Sequence, residues 1–434
     1  MGVSLKLRKI FLFIIALLFF TFAYLMFFGD RVFAFLNLEN GNNLNQKTDS
    51  FKQVLPEQEH RGIWFSYLDW MNLIKNSLNN GKVERIKYTQ NVEKICSNLK
   101  SIGINNLYLC VRAFGDAFYP SSVAYKSKFL QNLNFDEFDP LKLYLEIAKT
   151  YGLKIHGWIN PMRVFKKDDA DNIPENFLIK RWLNDNIRKN YYLGLNNNEC
   201  WVLNPCNPEV VDHLTAVLDE LLERYDFDGI HFDDYFYPSD IKNTNYDIEY
   251  FNKIKPNCDI ETFRFNGVSN LVKKFYDKCH ETKKNGKSIV FGIAIIGNAG
   301  VNRSMFVDFR NWIKNGYVDY LMPEIYYGFT NKYMSFNKCV DEWNSILNEL
   351  KDSSVNLNFF VGMAAYKLGQ QQQKEIDPCW LQVGNILSAQ EQFCRNNFPN
   401  YGGYCLFDYK SIFDEKGEIK SMVSSEIENL NKLF

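Results

Sequence analysis

Two consecutive carboxylates, Asp233 and Asp234, stand near the end of Gly229-Ile230-His231-Phe232-Asp233-Asp234-Tyr235, a β-rich run that closes on polar side chains. Paired carboxyls suit glycosidic cleavage. One must hold a proton for the leaving oxygen, while another, ionised, attacks the anomeric carbon or activates water. A like charge or an apolar wall raises the pKa of one and leaves its neighbour ionised. Consecutive strand residues begin on opposite faces, so only one of the two is expected to point into a cleft without a bulge. The second carboxyl is then expected from another strand, and Glu324 in Pro323-Glu324-Ile325-Tyr326-Tyr327 is the leading partner. Asp233, Asp234 and Glu324 are therefore the candidate catalytic residues.

Other β-rich runs also end in polar residues. Arg112 and Asp116 follow one, His156, Trp158 and Asn160 lie along another, and Asn298, Tyr326 and Asp408 close three more. With His231 and Tyr235 these are the candidate substrate-binding residues. Trp158 can be a sugar platform or an ordinary barrel aromatic. Arg112, Arg163 and Arg303 can orient carboxylates, grip an acidic sugar substituent or be paired structurally. Alternation puts His156 and His231 among buried strand residues, where a hydrogen-bonded structural histidine competes with a general base. A strand-end Asp often only caps the next helix. Asp233, Asp234 and Glu324 could share a divalent cation instead, but no histidine cluster accompanies them, so no metal or other cofactor is expected.

Such residues need a scaffold that brings strand ends together. Eight β-rich runs are predicted at Gly62–Tyr67, Asn106–Val111, Lys154–Asn160, Gly229–Tyr235, Ser288–Ile296, Val318–Tyr326, Phe359–Ala364 and Gly403–Phe407. Between them lie helical stripes such as Val92, Ile95, Cys96 and Leu99 at i, i+3, i+4, i+7. The clearest helix opens with Asn207 as N-cap and Pro208 at its first position. This alternation predicts an α/β fold, a (β/α)8 TIM barrel. A doubly wound sheet would want a Gly-rich phosphate loop after the first strand, where Ser66-Tyr67-Leu68-Asp69-Trp70 stands instead. The long polar stretches Val164–Glu199 and Pro238–Ile260 are assigned to loops over the strand ends, where they shape a cleft.

Six motifs now carry a resemblance: Arg61-Gly62-Ile63-Trp64, Gly115-Asp116-Ala117-Phe118-Tyr119-Pro120-Ser121, Asp139-Pro140-Leu141, His156-Gly157-Trp158-Ile159-Asn160-Pro161, Asp228 to Pro238, and Met322-Pro323-Glu324-Ile325-Tyr326. In that order, between about His60 and Asp408, the chain resembles the bacterial glycosyl-hydrolase-like family ten. The resemblance implies a (β/α)8 barrel acting on bacterial cell-wall or related glycans, including peptidoglycan strands freed of peptides. It puts the family's Asp-Asp motif on Asp233 and Asp234, its Gly-Asp motif on Asp116, and its Trp-x-Asn-Pro motif on Trp158 and Asn160. Strand six usually reads Pro-Gln-Ile-Tyr-Trp in that family, whereas Glu324 and Tyr327 stand here. Strand five, which tends toward Ser-Pro-Phe-Gly, reads Ala294-Ile295-Ile296-Gly297-Asn298. A Gln at the Glu324 position leaves Glu324 as a substrate contact and Asp116 or Asp408 as the partner carboxyl. The expected function is a glycoside hydrolase, with a polysaccharide as its partner. A non-catalytic surface glycan-binding barrel is the alternative, and a metal-dependent deacetylase or related hydrolase the third reading.

Composition bounds the rest. A net charge of −1, with Lys and Arg in no dense block, argues against nucleic acid as a partner. Ten cysteines are scattered singly, and only Cys200 and Cys206 fall close together, so small core residues are expected and no disulfide is named. At the N-terminus, Lys6, Arg8 and Lys9 precede an uncharged run from Ile10 to Phe28. At about 1.5 Å per helical residue that run is roughly one bilayer core thick. Residues 1–30 are therefore assigned to a single-pass membrane anchor, 31–58 to a flexible linker, and 59–434 to the barrel domain. Basic residues stay inside, which places the barrel outside the cytoplasm at the cell membrane. A cleaved signal peptide is the competing reading, with Val32-Phe33-Ala34 as its small-residue site, and it leaves the domain secreted. Mass spectrometry of the mature protein is expected to find the apolar run still attached; a chain beginning at Phe35 overturns the anchor.

Overall fold

The computed structural model describes residues 59–434 apart from 235, 285, 351–356 and 383. The assignments of the membrane anchor and linker, and the position of Tyr235, lie outside the described residues. Among the described residues no helix is long and apolar enough to cross a membrane.

Eight strands form a closed barrel: β1 (His60–Phe65), β2 (Asn106–Arg112), β3 (Lys154–Ile159), β4 (Gly229–Phe232), β5 (Val290–Ile296), β6 (Tyr320–Glu324), β7 (Asn358–Met363) and β8 (Tyr401–Leu406). Neighbours pair in parallel in chain order, and β1 closes the ring on β8. Helices pack around them, among them α1 (Tyr67–Asn76), α2 (Arg85–Ser101), α3 (Pro140–Thr150), α4 (Pro208–Arg224) and α5 (Ile260–Glu281). This is the (β/α)8 barrel, and its strands are nearly continuous apolar runs because both faces are covered.

The helices start where their caps say. Asn207 accepts the Glu209 N–H at the head of α4, and Asp139 accepts the Lys142 N–H before Pro140 in α3. Val210, Leu214, Val217, Leu218 and Leu221 then bury one face of α4. Cys96, Cys110 and Cys405 are buried in their elements, and all ten thiols are free.

Two features depart from the sequence expectations. β4 stops at Phe232, three residues early, so Asp233 and Asp234 lie beyond the pleat. The stretch after β3 also folds further than a loop: Arg163–Lys166, Leu193–Leu195 and Cys200–Leu203 make a small antiparallel sheet. After β4 come two short helices, Ile241–Thr244 and Ile248–Ile254. A buried ion pair ties them to α5, with Arg264 Nε and a terminal guanidinium nitrogen donating to Asp247 at 2.8 and 2.6 Å. The Tyr237 hydroxyl donates to the same carboxylate at 2.9 Å.

Rings fill the barrel: Trp64, Tyr108, His156, His231 and Tyr320 all point inward and contact one another. Space for them comes from glycine. A Cβ on Gly292 would stand 2.1–2.2 Å from the Tyr320 ring. Gly292→Ala therefore overpacks the barrel and is expected to destabilise it by about 1–3 kcal/mol, read from urea unfolding; an unchanged midpoint contradicts this packing.

Candidate active site

Three carboxyls meet at the strand-end face. One oxygen each from Asp233, Asp234 and Glu324 lies within 4.8 Å of the others. The expectation that only one of the two aspartates faces the cleft fails, because β4 has ended and a tight turn takes over. In that turn the Phe236 N–H donates to the Asp234 carbonyl at 2.9 Å, and the Asp233 N–H reaches back to Ile159 O at 3.3 Å.

Asp233 is the most enclosed, 6% exposed. Its Oδ2 accepts from Trp158 Nε1 at 3.1 Å and Asn160 Nδ2 at 3.2 Å, and its Oδ1 accepts the Asp234 N–H at 2.8 Å. Burial raises its pKa, and the Arg163 guanidinium, then the hydrogen bonds from Asp234 and from Trp158, oppose the rise. Asp234 and Glu324 are half-buried and less supported. Burial, then the Asp233 charge and a hydrogen bond to the Asp233 carboxyl, push Asp234 well above the carboxylate range. Burial, then the charges of Asp234 and Asp233, do the same to Glu324, and only the Tyr326 hydroxyl opposes. Asp233 is thus the group best able to stay ionised, and its two neighbours lean toward the protonated form.

Around the carboxyls stand Trp158, Asn160 and Tyr326, with Phe407 between Trp64, Trp158 and Tyr326 at 5.8–6.4 Å. Two contributors stood outside the first set of site residues. Arg163, weighed only as an arginine that could orient carboxylates, lies over the Phe114 ring at 4.5 Å and lowers both aspartates. Tyr366, 36% exposed, meets Tyr326 edge-on at 5.8 Å, and burial and the Glu324 charge raise its hydroxyl to about 12. It follows β7, which ends in no polar motif, so no local pattern marks it.

Six expected substrate contacts are engaged elsewhere. Arg112 is fully buried and donates to the backbone carbonyls of Asn160 and, at 3.1 Å, Pro161, bracing the segment that carries Asn160. Asp116 closes its own turn, accepting from the Ala113 and Phe114 N–H groups at 3.1 and 2.8 Å. Asn298 caps Ala299–Asn302 by accepting the Gly300 N–H at 3.1 Å. Asp408, fully buried, takes Lys410 Nζ at 2.5 Å and the Ser411 hydroxyl. Neither Asp116 nor Asp408 joins the group; Glu324 is the carboxyl that the fold brings to Asp233 and Asp234. His156 and His231 sit inside the barrel, and burial lowers both, His156 to about 3. Arg303 pairs with Glu261 at 3.7 Å and lies over Phe265, away from the carboxyls.

Among the described residues, Asp233, Asp234 and Glu324 are also the one group of three that could hold a metal ion. An all-oxygen donor set fits a hard cation of the calcium or magnesium type.

The pKa directions have a sign for stability. A carboxyl whose pKa is raised by folding is stabilising below its unfolded value of about 4.3, and that contribution is lost as pH rises through the folded value. Glu324→Gln is therefore expected to melt above the parent protein by about 1–3 °C, with the gap widening from pH 5 to pH 8. A gap that is flat or reversed in calorimetry contradicts the crowding.

The comparisons with known proteins agree with this geometry. The family model described as glycosyl hydrolase-like 10 matches residues 59–382. The chain is 26% identical over 375 residues to glycosyl hydrolase DigH of Escherichia coli K12, covering 81% of this chain and 83% of that protein. It is 27% identical over 354 residues to glycosyl hydrolase YngK of Bacillus subtilis 168, covering 75% and 63%. Among solved structures it is similar to the PgaB (BpsB) glycoside hydrolase domain of Bordetella bronchiseptica, with a TM-score of 0.54, 12% identity, and 86% and 98% of the two chains covered. The catalytic domain of β-amylase from Paenibacillus polymyxa gives a TM-score of 0.53 at 12% identity, with the same coverage. These two likenesses are of fold.

Proposed function

The chain belongs to the glycosyl hydrolase-like 10 family, and from that premise we propose that it is a glycoside hydrolase of bacterial cell-wall or related polysaccharide, acting on peptidoglycan-like glycan strands. The convergence of Asp233, Asp234 and Glu324 within 4.8 Å is the observation that carries this reading. The apolar run at 10–28 and the basic residues before it support a domain tethered to the cell membrane and facing outward.

In the proposed reaction Asp234 keeps its proton beside the Asp233 carboxylate and delivers it to the glycosidic oxygen as the C–O bond breaks. With Asp234 neutral, less negative charge faces Glu324, which gives up its own proton to solvent as the sugar binds and, as a carboxylate, attacks the anomeric carbon. Water then hydrolyses the glycosyl ester, losing its proton to Asp234 and freeing Glu324. Carboxyls whose facing oxygens lie within 4.8 Å are close enough for the retaining pathway, whose carboxyl groups stand about 5–5.5 Å apart against about 6.5–9.5 Å in the inverting one. Asp233 stays ionised and orients Asp234, Trp158 holds Asp233 from within, and the more exposed Tyr366 offers its ring to the sugar.

The purified protein is expected to release reducing ends from peptide-free glycan strands. Asp234→Asn is expected to lower the rate about 10²–10⁴-fold with stability within about 1 kcal/mol, and an aryl glycoside with a good leaving group restores its first step. Glu324→Gln gains nothing from that leaving group but is rescued by azide. Activity that survives both substitutions rejects the assignment, and saturable glycan binding without product makes the chain a binding barrel. If Glu324→Gln alone stays active, Glu324 is a substrate contact and the retaining pathway falls.

A further inference from the structure

At the opposite end of the barrel, where the strands begin, lies a cavity of about 700 Å3, within the size range of small-ligand sites. Four lysines line it, Lys149, Lys154, Lys284 and Lys287, against Asp226 and Asp228. Both acids are engaged. Asp226 pairs with Lys149, and Asp228 Oδ2 accepts the Ile155 N–H at 2.8 Å. Lys154, Lys284 and Lys287 have no carboxylate partner among the described residues.

Deeper in, His60 and His156 line the same cavity at 8% and 5% exposure. Their directions follow from a relay. Trp64 Nε1 donates to His231 Nε2 at 3.3 Å, so neutral His231 carries its proton on Nδ1 and donates to the Tyr320 hydroxyl at 3.0 Å. That hydroxyl then donates to His156 Nδ1 at 3.3 Å, which leaves the His156 proton on Nε2. His60 Nε2 is held by the Tyr108 hydroxyl at 2.9 Å. Among the described residues His156 Nε2 and His60 Nδ1 have no hydrogen-bond partner, yet neither is sealed from solvent, so both face the open space. A donor on a side chain more than nine-tenths buried therefore points into a basin whose cations outnumber its free anions.

We propose that this basin binds a phosphate group. Its four lysines against the two carboxylates of Asp226 and Asp228 leave a charge of +2, which matches that of a phosphate, about −1.5 to −2 near neutral pH, and tetrahedral oxygens can meet ammonium and imidazole donors together. A phosphate has the same chemistry in a lipid headgroup as in solution, and titration with each separates the two sources.

The full chain in detergent, with isotope-labelled histidine, tests this by NMR under inorganic phosphate at constant ionic strength. The ring signals of His60 and His156 are expected to shift saturably, and those of His213 and His280 to stay. Replacing Lys154, Lys284 and Lys287 together by Gln weakens binding by about tenfold without moving the melting temperature. A parallel titration with dihexanoyl phosphatidylglycerol below its micelle concentration separates the sources. Binding at least as tight as that of inorganic phosphate assigns a headgroup, and weaker or no binding assigns free phosphate. If neither probe shifts the two rings saturably, or the triple variant titrates like the parent protein, the proposal is overturned.

Discussion

Three carboxyl groups within 4.8 Å repel one another in a poorly hydrated place, and much of the upper barrel exists to hold them there. The constraint is met asymmetrically. Asp233 receives Trp158, Asn160 and a backbone N–H, whereas Asp234 receives little besides the charge of Arg163 and Glu324 less still. Repulsion is relieved by protons on the second and third carboxyls. The same crowding that strains the site thereby supplies an acid at neutral pH, which glycosidic cleavage needs.

The donors to Asp233 hold their positions because of buried groups that never reach the cleft. Arg112 fixes the carbonyls of Asn160 and Pro161 from below, and the Asp247–Arg264 pair with Tyr237 anchors the chain just beyond Asp234. Removing one partner of that pair leaves an unpaired buried charge, costing about 3–5 kcal/mol, so the loop that carries Asp234 is locked into the fold.

All eight barrel strands were legible in the sequence, because apolar runs separated by capped helices have few other solutions. The Asp-Asp segment and Glu324 were legible too, as carboxyls at strand ends. What strand-end position could not tell was the partner each side chain finds. Arg112, Asp116, Asn298 and Asp408 satisfy nearby backbone groups or neighbouring side chains, a choice made by turn geometry and not by residue type. The pairing of Asp233 with Asp234 was hidden for a related reason: alternation applies only while the pleat lasts, and β4 ends at Phe232. Tyr366 is brought near Glu324 by the parallel pairing of β6 with β7, which sets Glu324 opposite Gly362.

Between the acidic end and the lysine-rich end runs a layer of neutral hydrogen-bonding rings, from Trp64 through His231 and Tyr320 to His156. Its neutrality has a consequence above it. An imidazolium at His231 would draw the carboxyls back toward ordinary values. Burial prevents this by holding His231 well below its usual range, and each ring in the relay still finds a partner without gaining charge. The barrel interior therefore insulates one end from the other, so that the carboxyls answer to Arg163, to one another and to whatever sugar enters, and not to the charge gathered beneath them.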